Sequence, residues 1–161
     1  MISPEEQEKL LSLPEREFLE YVLQGDQEAI SFFQTLCRIS QTWDDLIDQD
    51  KAVSPVEINR AFWMALVALP GNGFYQQHFR ALHTLITGAI FDWWDSEELK
   101  RSAKKEHQAV AYTLRSAVSV LLGHIVYLSA GYEWHCKVSS LIRRYIYTDS
   151  LDEYIKSNST K

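Results

Sequence analysis

Glycine and proline are scarce in this chain: six Gly and four Pro among 161 residues. No low-complexity tract, internal repeat or linker is present, so residues 1–161 read as one domain with a full-sized core. Cysteine is limited to Cys37 and Cys136, each inside an apolar helical pattern. Without paired ligand spacing they exclude a Cys-based zinc site and read as small core residues of a reducing compartment; a disulfide between them stays open. Positive charge is in deficit, with 16 Lys and Arg against 22 Asp and Glu, a net charge of −6 and a pI near 5.3. That balance excludes a general electrostatic nucleic-acid binder, which needs a basic stripe.

No apolar run reaches bilayer length. The most apolar stretch, Ala117 to Ala130, is interrupted by Gly123 and His124 and reads as a buried core helix. The acidic start, Met1-Ile2-Ser3-Pro4-Glu5-Glu6, carries no secretory signal, so the expected location is cytoplasmic. No segment alternates with period two between turn signals, so no sheet is expected.

What is present is helical periodicity with a large aromatic payload: five Trp, eight Tyr and seven Phe. Ser3-Pro4-Glu5-Glu6 opens a short helix to about Ser12, and Pro14 opens the next, closed by Gly25. Asp26 caps a third helix running to about Asp50, with Ala29, Phe32, Phe33, Leu36, Ile39, Trp43 and Ile47 as its stripe. Pro55 opens a fourth, ended by the loop Leu69-Pro70-Gly71-Asn72-Gly73. A fifth carries Tyr75, Phe79, Leu82, Ile86, Ile90 and Trp93, and Asp95-Ser96-Glu97-Glu98 reads as its stop and a new cap. A sixth is expected from Glu97 to Ala130, ended by Gly131, and a seventh carries Trp134, Val138, Leu141 and Tyr145. Ser150-Leu151-Asp152-Glu153 caps a last short helix, with residues 157–161 as a frayed tail. The expected fold is an all-α bundle of four or five long helices plus short ones.

Four aspartates crowd the end of the third helix, in Trp43-Asp44-Asp45-Leu46-Ile47-Asp48-Gln49-Asp50. The helix dipole is negative there, and each carboxylate is disfavoured by roughly 0.3–1 kcal/mol. A cation must compensate them, either a metal or a set of Arg and Lys side chains. Asp44 and Asp48 are neighbours at i and i+4 on the flank of the apolar stripe, Asp45 points away, and Asp50 falls close to the stripe. Carboxylates so placed suit Mg²⁺ or Mn²⁺. Asp44, Asp48, Asp45 and Asp92 are therefore the candidate metal ligands. Asp95 has a plainer role as a helix cap. His107 lies on an apolar helix side beside Glu106 and is the candidate general base. Arg115 and Arg144 are candidates to bind a phosphate group, or to balance the aspartates. No Glu-x-x-His pair, phosphate-cradling Gly loop or nucleophile elbow is present.

Asp44-Asp45-Leu46-Ile47-Asp48 resembles the DDxxD motif of isoprenoid synthases, which are all-α enzymes. The resemblance implies that Asp44 and Asp48 hold Mg²⁺ against a substrate diphosphate. Asp45 and Asp48 with Asp92 and Asp95 are similar to the paired acidic residues of helical nucleotide pyrophosphatases. The phrase from Trp43 to Lys51, followed by Ile58-Asn59-Arg60-Ala61-Phe62-Trp63 and Asn72-Gly73-Phe74-Tyr75, resembles small proteins of tailed bacteriophages and implies a phage context. Two functions are expected from these features. One is metal-dependent hydrolysis of a small phosphorylated compound, with His107 as base and Arg115 or Arg144 on the phosphate. The other is an accessory or virion protein whose acidic helix end docks a basic partner, with Trp93 and Trp94 as aromatic anchors.

Overall fold

A computed structural model of the chain describes residues 2–49, 51–147 and 150–158. Local sequence sets most of the helix starts. Ser3 accepts a hydrogen bond from the Glu6 backbone N–H at 3.3 Å, and Pro4 presets φ, opening α1, Pro4–Leu11. Pro14 precedes α2, Glu15–Val22, and the chain leaves that helix through two left-handed residues, Gln24 (φ 51°) and Gly25 (φ 77°). Asp26 caps α3, Gln27–Asp48, by accepting from the Ala29 N–H at 3.0 Å. Ser54 and Glu57 form the reciprocal capping box of α4, Pro55–Trp63. The same device, Ser150 with Glu153, opens α10, Leu151–Asn158. Among the described residues there is no strand, and the fold is all-α.

Four boundaries differ from the sequence expectation. The stretch expected as a loop after Leu69 is helical as far as Gly71: α4 runs on through a π-helical turn, Met64–Ala68, into α5, Leu69–Gly71. Pro70 is tolerated because it sits in the first turn of the new register, where no donor is needed. Asn72 alone breaks the rod and caps α6, Gly73–Gln77, accepting from the Tyr75 N–H at 2.8 Å. Asp95-Ser96-Glu97-Glu98 does not stop a helix but lies inside α7, Phe79–Leu99. Asp95, expected as the cap of a new helix, is an interior residue of α7, and Ser96 beside it is buried and donates its hydroxyl to the Trp93 carbonyl at 2.7 Å. The single helix expected from Glu97 to Ala130 is divided, with α8 at Lys105–Arg115 and α9 at Ala117–Ile146. Gly131 (φ 82°, ψ 174°) breaks α9 where the sequence placed a helix end. Helix α10 reaches Asn158, whereas fraying was expected from 157; positions 159–161 and Asp50 lie outside the described residues.

The core occupies one end of the bundle. Phe18, Leu19 and Val22 of α2, Ala29 to Phe33 of α3, Leu82 of α7 and both limbs of α9 close around it. Phe18 stacks on Tyr145, and Phe32 on Tyr75. Within Lys105–Ser157 an 18-residue window has a mean hydropathy of 1.5, long and apolar enough to cross a membrane. Leu121, Leu122, Ile125 and Val126 nonetheless face this core, so their apolarity is used inside the bundle.

Away from the core the helices part. α3 packs on α4, α6 and α9, and α7 packs on α8 and α9, but α3 and α7 share no extended packing. They meet again only near their C-terminal ends, where Trp43 lies against Trp93 with ring centroids 4.2 Å apart.

Candidate ligand-binding cavity

The gap between these helices is a cavity of about 640 Å³. Leu36, Cys37, Ile39, Ser40, Gln41, Trp43 and Asp44 of α3 form one wall. Ile86, Ala89, Ile90 and Trp93 of α7 face them. Ala65 of the π-helical turn and Leu69 of α5 close one side; Ala117, Val118 and Leu121 of α9 close another. The wider π turn sets Ala65 and Leu69 four residues apart on the same lining. Apart from Ser40 and Gln41 on α3 the wall is apolar, and at one end Asp44 and Arg115 are its two charged members.

That polar end is built from three helices. Asp44 accepts a hydrogen bond from the Trp93 indole N–H at 3.1 Å, which ties α3 to α7. The Arg115 guanidinium, at the end of α8, lies 3.7 Å from the other Asp44 oxygen. This is a charge contact, longer than a hydrogen bond. Arg115 makes no hydrogen bond among the described residues, and its side chain is 49% exposed at the cavity rim. Cys37 is half-buried on the α3 wall. Burial, aided by the Glu15 charge, pushes its thiol up to about 12, so it is an inert thiol at neutral pH.

The acidic helix end is brought into order by protein cations. Asp44 has Arg115, Asp45 has Lys51 at 2.8 Å, and Asp48 has Lys100 at 3.2 Å. Lys100 also binds Glu97 one turn before it on α7. Burial alone pulls the Lys100 ammonium down; the Glu97 and Asp48 carboxylates outweigh it, and the net shift is upward. Asp44 and Asp48, expected as joint ligands of one cation, each face a different protein cation. One helical turn separates them, but the cations arrive from α8 and α7 respectively. Asp92 is half-buried and makes no ion pair or hydrogen bond among the described residues. Among the described residues, no three His, Cys, Asp or Glu side chains come together in a metal-sized group.

The other expected site residues are dispersed. His107 shares a 3.0 Å hydrogen bond with Ser102 in the turn before α8 and does not line the cavity. Arg144 is spent on Gln7 and Glu8, at 2.8 and 2.7 Å, holding α1 against α9. Arg115 alone among the proposed phosphate-binding residues reaches the cavity. Of the two expected aromatic anchors, Trp93 is engaged with Trp43 and Asp44, while Trp94 is exposed. Leu36, Ile39, Ile86 and Ile90, read from the sequence as apolar stripe residues, line the cavity, and Leu36 and Ile86 also pack against the core. The signal for a cavity is the set of small residues on the same lining, Ala65, Ala89 and Ala117, where close packing would call for larger side chains.

Neither a protein-family model, nor a curated protein, nor a solved structure matches this chain.

Proposed function

We propose that the protein binds a small molecule with an apolar body in the cavity between α3, α7 and α9. The observation that carries this reading is the cavity itself: about 640 Å³, apolar along its walls, with one charged end. Small-molecule sites typically enclose about 300–1,000 Å³ and combine apolar walls with a few convergent polar groups. An apolar ligand would replace side-chain contacts that the small residues leave unmade, at about 25 cal/mol per Å² of surface removed from water. Asp44, the one carboxylate of the lining, faces Arg115 and accepts from Trp93, and the role this reading assigns to the cavity is binding.

The test is titration with the uncharged fluorescent probe N-phenyl-1-naphthylamine, on wild type and on Ala89→Phe. The added ring of Ala89→Phe occupies the cavity from the α7 wall. Saturable enhancement at one probe per chain, lost in the variant, is the expected result. Non-saturable enhancement, or saturation untouched by Ala89→Phe, overturns the reading.

A further inference from the structure

We propose that the ligand of this cavity is an amphiphilic anion, an apolar body ending in a carboxylate or phosphate, whose head is held by Arg115 at the start of α9. This rests on the cavity reading above and names its ligand class. Three observations at the polar end point the same way. First, Arg115 carries five N–H donors and uses none of them in a hydrogen bond among the described residues; its one partner, Asp44, stands off at 3.7 Å. A guanidinium at the rim of an apolar cavity with its donors unspent matches a planar or tetrahedral oxyanion.

Second, Asp44 is poorly free to serve a cationic head. One of its oxygens accepts from Trp93 and the other faces Arg115. Its role is to position the guanidinium, anchored in turn by the Trp93 indole. Third, Ala117 and Val118 follow Arg115 closely, line the cavity, and begin α9. Ser116 supplies no side-chain cap to that helix start. The first turn of α9, the positive end of its dipole, therefore lies beside the guanidinium. Anion and apolar body are thus recognised at opposite parts of one lining.

The experiment is competition of decanoate, decyl phosphate, decanol and decylamine against the naphthylamine probe, on wild type, Arg115→Gln and Arg115→Lys. Arg115 is half-exposed at the rim, so both variants keep the core intact; their thermal melts confirm it. Decanoate, decyl phosphate or both should bind wild type about ten- to hundredfold tighter than decanol, the span of a charge-assisted hydrogen bond. Decylamine should bind no better than decanol. Arg115→Gln should erase the anion preference and leave decanol unchanged, while Arg115→Lys should keep part of it. Which of the two anions binds tighter tells a carboxylate head from a phosphate head. Equal binding of all four, or an anion preference that survives Arg115→Gln, overturns the head assignment and leaves the cavity reading standing. Failure of the probe itself to bind saturably removes the cavity reading and this inference with it.

Discussion

Asp44 and Asp48 lie one turn apart on α3, yet one faces Arg115 and Trp93 and the other faces Lys100. The need for compensating charge was legible in the sequence, because four carboxylates at the negative end of a helix are unfavourable without it. Which cation compensates was not legible, since Lys100 and Arg115 are remote in sequence and reach α3 only through the packing of α7 and α8. Cys37 shows the same limit. Its apolar neighbours announced burial, but only the fold places it on a cavity wall. Its thiol is pushed up to about 12, so at about pH 8 roughly one molecule in ten thousand carries the reactive thiolate. Iodoacetamide at that pH should therefore modify exposed Cys136 and spare Cys37, as read by peptide mass spectrometry. Comparable labelling of both cysteines would contradict the burial of Cys37.

Helix starts were legible because their signals are local. Ser3, Asp26, Ser54 and Ser150 each cap the helix that their spacing predicted. Helix continuity was not local. Asp95 reads as a cap, but it lies inside α7; Ser96 beside it is buried with its hydroxyl on the Trp93 carbonyl, and the helix passes through. Pro70 reads as a stop, but a π turn lets the rod restart around it. Gly131 was legible and is required: φ 82° with ψ 174° is a backbone region essentially confined to glycine. The space around it is open, so a methyl group there meets no neighbour and the cost of substitution is backbone strain alone. Gly131→Ala should destabilise the protein by about 1–3 kcal/mol in urea denaturation. An unchanged midpoint would show that the break does not need glycine.

Over the whole molecule, one end is packed and the other is held open. Lys100 is part of what holds it, joining α7 to Asp48 of α3. Replacing it with Met removes the Asp48 cation and the nearer of the two Glu97 cations, Arg101 remaining at 4.0 Å, and should cost about 1–2 kcal/mol near neutral pH, between the surface and buried limits for a broken pair. The pH dependence has a definite sign. The folded-state value of Lys100 is raised above 10.5, so its contribution is complete below that pH and disappears as pH rises through the raised value. Urea melts of wild type and Lys100→Met should differ at about pH 9 and converge as the pH rises beyond 10.5. A constant difference across that range would mean the side chain acts through packing of its stem instead of its charge.

The sequence by itself determined the all-α class, the helix starts and the demand for cations at the end of α3, because periodicity, capping and the helix dipole act over a few residues. It also marked Leu36, Ile39, Ile86 and Ile90 as inward-facing. Only the tertiary structure decided what inward means at each position. Apolar periodicity is the same for a residue that touches another side chain and for one that faces a cavity. The difference lies in the distance between α3 and α7, which is set by the small residues, the π turn and the ties at Trp93 and Lys100 acting together.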